Sequence, residues 1–306
     1  MKTIHWALIA NRWAGHKTSD KRWQKIERLL EQFNIQYTPF YTQKVGHARE
    51  YAMDVLHQGY RNLLVMGGDG TISEVVDGIM KSGVDTTQVT VALLPMGTGN
   101  DWARYWGIRK LERAFEVVSQ ANSVLVDVGQ VTFDDKDKTK RYFINAFGFG
   151  FDARVIQLTN KLQHRFKGKS WTYTASLFLA VLKHRSQPMQ FASASWTESF
   201  NCYTVSIGNG AFTGGGIRQT PLAVPTDGLF DVMAMGELTF LKILKALKLL
   251  FTGKLLQHPS VRNKRITQLK VQSEKEIVSE VDGILQPVVH GFTVEVVPQA
   301  LRFVCP

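Results

Sequence analysis

Two aspartates, each set among glycines, are the residues of this sequence best suited to chemistry. The first stands in Leu63-Leu64-Val65-Met66-Gly67-Gly68-Asp69-Gly70-Thr71, followed by Ile72-Ser73-Glu74-Val75-Val76-Asp77-Gly78-Ile79-Met80. Four apolar residues in a row suit a strand buried on both faces of a parallel sheet, and Ile72, Val75, Val76 and Ile79 recur at helical spacing. Between them, Gly67, Gly68 and Gly70 leave a turn without Cβ atoms, so backbone N–H groups can approach a phosphate at the positive end of a helix dipole. A carboxylate beside bound phosphate is repulsive unless a divalent cation lies between, so Asp69 predicts Mg²⁺ held against an oxyanion. Taken alone, the glycine pair fits an ordinary tight strand-to-helix turn equally well. A second stretch repeats the pattern: Val89 to Leu94 is apolar and leads into Pro95-Met96-Gly97-Thr98-Gly99-Asn100-Asp101-Trp102-Ala103-Arg104. In an open α/β sheet, ligands bind beyond the carboxyl ends of the strands, so two such loops on neighbouring strands converge on one crevice.

The elements that must position these loops alternate. Thr3 to Ala10 reads as a strand, Ser19 or Asp20 can cap a helix to about Phe33, Ile35 to Thr42 is a second strand, and a helix follows near Ala48–His57. Strand Leu63–Met66 with its helix, strand Val89–Leu94 and a helix from Asp101 complete the run, which implies a parallel sheet with right-handed crossovers. From Val124 the rhythm changes to period two: Val124 to Val131, a charged tip at Asp134-Asp135-Lys136-Asp137-Lys138, then Tyr142 to Asn145. Two helical pieces, Thr172–His184 and Leu238–Phe251, interrupt the strands. The expected fold is an α/β N-terminal domain with a parallel sheet over residues 1–123, then a mainly antiparallel β C-terminal domain over 124–306. Its last segment, Gln268 to Val304, can pack back on the first domain.

With Gly-Gly-Asp-Gly-Thr at 67–71 and Pro-Met-Gly-Thr-Gly-Asn-Asp at 95–101, the sequence resembles the diacylglycerol kinase catalytic domain. That domain is shared by bacterial lipid kinases, eukaryotic diacylglycerol kinases, sphingosine kinases and ceramide kinases. NAD kinases and phosphofructokinases share the first motif but not the second. The resemblance spans nearly the whole chain: Phe147 to Ala153 and Tyr203 to Gly210 match strands of the family's second domain. It implies an ATP- and Mg²⁺-dependent lipid kinase acting on a hydroxyl of a diacylglycerol-like or sphingoid lipid. By the same resemblance Asn11, Gly15, Thr42, His47, Gly67, Gly68, Gly70, Thr71, Gly97, Thr98, Gly99 and Asn100 lie on the nucleotide. Arg12 and Ala14 depart from the family's opening Asn-Pro-x-Ser-Gly or Asn-Pro-x-Gly-Gly. Asp69 and Asp101 are the magnesium-side carboxylates, Asp127 joins their charged network, and Asp227 of Pro225-Thr226-Asp227-Gly228 matches an aspartate that binds a structural Mg²⁺ in some bacterial members. A capped β-turn explains that last loop as readily.

One position breaks the pattern. The family carries its base as the Glu of Asp-Gly-Glu, and here the run is Val281-Asp282-Gly283-Ile284-Leu285. Ile284 cannot accept a proton. Three readings stay open: Asp282 or Glu280 takes over, transfer proceeds slowly by positioning alone, or the fold binds nucleotide without turnover as a regulatory protein. General-base help is worth roughly 10²–10⁴ in rate, so its loss weakens transfer without abolishing it.

Composition bounds the rest. The 306 residues with 44% apolar content suit a folded protein with a large core, and two cysteines, Cys202 and Cys305, fit neither a disulfide framework nor a metal cluster. A reducing cytoplasm is the expected setting, with no signal peptide in Met1 to Ala10 and no stretch near the roughly 20 apolar residues of a spanning helix. Residues 154–265 hold 15 lysines and arginines against 4 acids, the whole of the net +11, and the remainder of the chain is balanced. This favours an anionic membrane surface as partner and peripheral localisation; nucleic acid has charge alone in its favour. Lys242, Lys245 and Lys248 fall on one side of their helix, either as a solvated face over a core-packed helix or as a membrane-facing one. A homodimer is left open.

Overall fold

The computed structural model describes residues 4–12, 20–165 and 171–306. Strand and helix alternate through β1 (His5–Ala10), α1 (Asp20–Gln32), β2 (Gln36–Tyr41), α2 (His47–His57), β3 (Asn62–Gly67), α3 (Asp69–Lys81) and β4 (Thr90–Pro95). Two further helices follow, α4 (Asp101–Tyr105) and α5 (Leu111–Gln120). β1 pairs in parallel with β2 and β3, and β3 with β4. The runs Leu63–Gly67 and Val91–Pro95 are buried throughout, as continuous apolar strands are when helices cover both faces of a parallel sheet. Ile72, Val75, Val76 and Ile79 give α3 the buried stripe that fixes it there.

The second half contains β5 (Ser123–Phe133), β6 (Lys140–Phe143), β7 (Ala146–Gly150), α6 (Phe151–Arg165), α7 (Trp171–Lys183), β8 (Gln187–Ala192), β9 (Thr197–Cys202) and β10 (Thr204–Gly208). It continues with β11 (Phe230–Met235), α8 (Phe240–Phe251), β12 (Val261–Ile266), β13 (Gln268–Ile277), β14 (Ser279–Val281), β15 (Ile284–Leu285) and β16 (Val289–Val304). One ten-stranded sheet runs β2-β1-β3-β4-β16-β13-β8-β9, with β5 on β16 and β6 on β5. A second, six-stranded antiparallel sheet runs β12-β11-β10-β7-β14-β15. β16 joins the halves: Phe292 to Glu295 pair with β13, while Arg302 and Phe303 lie parallel to β4.

Alternation along β11 shows how the second half is layered. Phe230, Val232 and Ala234 pack between the two sheets with Phe147, Phe149, Phe191 and Phe292. Met233 and Met235 face the other way, onto α6, α7 and α8. One expectation is corrected here: residues 147–153 do not form a single strand. Gly150, at φ +91, ends β7 with no room for a Cβ beside the Tyr203 carbonyl, and α6 starts at Phe151. Its inward stripe is Phe151, Val155 and Leu158, at helical spacing. Both cysteines are free and buried. Among the described residues no helix is long and apolar enough to cross a membrane.

Candidate functional site

The carboxyl ends of β1, β3 and β4 are stitched together by the chain leaving them. The Asn11 N–H donates to the Met66 carbonyl (2.8 Å), Met96 N–H to Gly67 (2.8 Å) and Thr42 N–H to Ala10 (3.0 Å). Asn11 also reaches Thr71 through its side-chain amide, at 3.4 Å. Gly46, at φ +86, turns the chain into α2, whose first N–H groups are taken by Glu74 of α3: Gly46 at 2.8 Å and Ala48 at 3.3 Å. That carboxylate already occupies the positive end of α2, so the helix terminus does not present itself to a phosphate. His47 is held beside it, accepting the Gln43 N–H at Nδ1 (3.1 Å) and stacking on Tyr51. Thr42 is buried with its hydroxyl toward the Ala10 carbonyl. Gly15 lies outside the described residues.

The two glycine loops touch backbone to backbone. A Cβ on Gly97 would come within 2.6 Å of the Gly68 Cα, and one on Gly68 within 2.9 Å of the Gly97 Cα, so neither position admits a side chain. Gly68 is the N-cap of α3 and offers no side-chain cap, while Gly70 on the first turn faces open space. An anion can therefore approach this helix terminus unhindered. Asn100 adopts φ +51 and closes its own loop, its side chain accepting the Gly97 N–H (2.9 Å) and donating to the Gly97 carbonyl (2.8 Å). Its amide shapes the turn.

Across Gly99 stand Asp69 and Asp101: the nearer oxygens lie 2.8 and 3.5 Å from the position a Gly99 Cβ would take. Asp69 accepts the Trp102 N–H (3.3 Å), and Asp101 accepts the Gly215 N–H (2.8 Å) with Arg104 at 3.8 Å. Burial raises the pKa of both, and Asp101 adds repulsion at Asp69. Oδ1 of Asp101 is buried without a hydrogen bond. Two adjacent carboxylates, one with an orphaned oxygen and each resisting ionisation, fit a divalent cation shared between them. No group of three or more His, Cys, Asp or Glu side chains converges as a metal site among the described residues. Magnesium suits such a sparse protein ligand set, because it keeps waters and substrate phosphates as its other ligands.

The other two expected metal carboxylates are engaged elsewhere. Asp127 is fully buried, and its oxygens accept the N–H groups of Gly228 and Gln299, each at 2.8 Å, which ties the 225–228 loop to the bulge of β16. Asp227 pairs with Arg265 and accepts the Leu229 N–H (3.0 Å).

Asp282 departs furthest from expectation. It sits at φ +47 in the Asp282-Gly283 turn between β14 and β15, and its carboxylate accepts the N–H groups of Ile144 (3.1 Å), Asn145 (3.1 Å) and Ala146 (2.8 Å). The Ser73 hydroxyl of α3 adds a fourth donor, and burial outweighs these donors to push its pKa up to about 6. A carboxylate so committed is a clamp between α3 and β7, and its lone pairs are not free for a substrate proton. Glu280 is equally placed out of reach. It accepts the Gly283 N–H (2.5 Å), lies over Gly148 where no Cβ fits, and is pushed up to about 8 by burial, with Asp282 and Asp152 adding repulsion. Val281 pairs with Ile284 and Glu280 with Leu285, so Glu280 and Ile284 project from opposite faces of the hairpin.

One participant escaped the sequence reading. Gly214, Gly215 and Gly216 all have positive φ, and this loop closes over the second glycine loop through the Asp101 contact and the Arg104 guanidinium beside Gly216. Three consecutive glycines were the available signal.

The arrangement has counterparts among known proteins. The family model described as diacylglycerol kinase catalytic domain matches residues 5–131, and that described as YegS C-terminal NAD kinase beta sandwich-like domain matches 145–305. A Stenotrophomonas maltophilia protein named "Probable lipid kinase YegS-like" is 28% identical over 100% of this chain and 97% of its own. A Yersinia pestis protein of the same name is 29% identical over 84% of this chain and 83% of its own. The crystal structure of a diacylglycerol kinase from Bacillus anthracis superposes with a TM-score of 0.72 over 100% of this chain and 98% of that one, at 17% identity.

Proposed function

Because the chain belongs to the diacylglycerol kinase catalytic domain family, we propose that it transfers the γ-phosphate of ATP, with Mg²⁺, to a hydroxyl of a diacylglycerol-like or sphingoid lipid. The observation that carries this reading is the pair Asp69 and Asp101 flanking Gly99, between two glycine loops whose backbones touch. Phosphoryl transfer asks a protein mainly to position phosphates and neutralise charge. The uncapped first turn of α3 receives the phosphates, Gly97 and Gly99 let them approach the backbone, and Asp69 and Asp101 hold the metal side. Magnesium, when bound, offsets the negative charge of the transferring group. Ile284 accepts no proton, and Asp282 and Glu280, both committed, do not stand in for the family's base. The proposed reaction is therefore slow and runs on positioning.

Access to lipid is read from α7 and α8. On α8, Ile243 and Ala246 are buried, while Leu241 (77% exposed) and Leu244 share the outer side with Lys242, Lys245 and Lys248. Phe178 and Leu182 of α7 are exposed as well. Apolar side chains among lysines suit peripheral attachment to an anionic bilayer.

The testing experiment follows radiolabelled phosphate from ATP into a panel of extracted lipids. Label in a lipid, lost in Asp69→Ala, supports the reading. Nucleotide bound without label in any lipid would favour a regulatory nucleotide-binding protein, the second reading that Ile284 keeps in view.

A further inference from the structure

A cavity of about 420 Å³ opens at the far end of β7 from the glycine loops. β7 begins at Ala146, whose N–H binds Asp282, and ends at Gly150, which lines the cavity. Four strand steps, roughly 13 Å, separate the two. The volume falls within the range of about 300–1,000 Å³ typical of small-molecule sites.

Its lining is of two kinds. Leu158 of α6, Met189 of β8, Cys202 and Ile277 supply an apolar floor. The rim carries Arg154, Lys183, Arg185 and Lys275, all exposed, against the one acid Glu276. None of these four cations makes an ion pair among the described residues. Arg185 donates instead to the carbonyls of Leu182 and His184 (2.8 and 2.9 Å), and Arg154 to the Gln157 side chain (2.6 Å). Surface cations elsewhere do find carboxylates, as in Lys25–Glu112 and Arg262–Glu198. Four cations against one acid around an apolar recess form the complement of a molecule with a negative head and a hydrocarbon tail.

We infer that this cavity binds a single-chain anionic amphiphile, an acyl or alkyl chain ending in phosphate or carboxylate, at a site separate from the reacting crevice. A phosphorylated lipid has this chemistry, but the binding does not rest on the kinase reading.

The test is calorimetric titration of the full chain with dodecyl phosphate below its micelle threshold, beside inorganic phosphate and dodecanol. One saturable site is expected for dodecyl phosphate, at least tenfold tighter than for either control. Lys183→Gln with Arg185→Gln, both exposed, weakens it at least tenfold, as does Leu158→Trp, which fills the floor. Nucleotide binding is unchanged in the charge variant, which stays folded by circular dichroism, and Asp69→Ala retains dodecyl phosphate binding. Absence of a saturable site, equal affinity for inorganic phosphate, indifference to the charge variant, or loss of the site in Asp69→Ala would each overturn the proposal.

Discussion

Two of the chain's four Asp-Gly pairs show surroundings sending the same dipeptide in opposite directions. Asp69-Gly70 opens a helix at the end of a parallel sheet, where Asp69 accepts the N–H of Trp102 and stands beside a second carboxylate. Asp282-Gly283 closes a hairpin in the antiparallel sheet, where Asp282 accepts three backbone N–H groups from residues 144–146. The first carboxylate takes its donors from its own neighbourhood, the N–H groups of Asn100, Asp101 and Trp102, and faces an approachable helix terminus. The second has its acceptor sites filled and holds two parts of the molecule in register. What separates the two is setting: Asp69 stands beside a second carboxylate at an approachable helix terminus, whereas Asp282 is closed in between distant segments of the chain.

Removing the carboxylate at the glycine loops should have the largest effect. Asp69→Ala is expected to lower phosphate transfer by about 10³ and to remove the Mg²⁺ dependence of nucleotide binding, with the fold retained by circular dichroism. Unchanged nucleotide affinity with and without Mg²⁺ in the folded variant would refute the assignment.

The next largest effect comes from restoring what the hairpin lacks. Ile284→Glu should raise transfer by about 10², whereas Asp282→Asn should lower Tm through its lost acceptor site. If Asp282→Asn instead collapses the rate at unchanged Tm and Ile284→Glu adds nothing, Asp282 is the base and the contrast between the turns fails.

Glu280 sharpens the comparison through pH. Its folded pKa, about 8, lies above the unfolded value, so the folded state holds an extra proton between roughly pH 4.5 and 8 and loses stability as pH rises through that window. Urea unfolding should show about 2 kcal/mol less stability at pH 8 than at pH 6 from this group, and Glu280→Gln should remove that difference. An identical pH slope in the variant would mean that the carboxyl is solvated in the protein.

The smallest effect tests the charge contrast between residues 154–265, which hold the whole net +11, and the balanced remainder of the chain. Each α8 lysine should add about 1 kcal/mol of attraction to anionic vesicles at low salt, so Lys245→Gln should weaken sedimentation with them about fivefold and leave neutral vesicles unaffected. Equal loss on both vesicle types would argue for apolar contact alone.

Much of the crevice was legible in the sequence because it is built locally. Buried strand, glycine turn and amphipathic helix follow one another within residues 62–81, and the turn's geometry is written in its own residues. Asp282 was illegible for the opposite reason: its partners lie 136 to 138 residues earlier in the chain, and nothing in Val-Asp-Gly-Ile announces them. The same distance hid Asp127, whose donors, Gly228 and Gln299, come from two separate later segments. α6 was missed because its first residues continue the aromatic run of β7, and the break is carried by the backbone of Gly150. The 214–216 loop carries no side chains to suggest a role, and its importance lies in how closely it lets Asp101 and Arg104 be approached.

β16 sets the order in which this molecule can be made. Its residues 302–303 complete the pairing of β4, a strand that emerges from the ribosome some two hundred residues sooner. Until then β4 presents an open edge, apolar from Val91 to Pro95, beside the first glycine loop, the kind of surface that invites pairing with another nascent chain. The crevice at the start of the sequence thus reaches its final form only after the last strand arrives. Ending the chain before β16, at residue 288, is therefore expected to expose an aggregating sheet edge rather than to leave an isolated working N-terminal half.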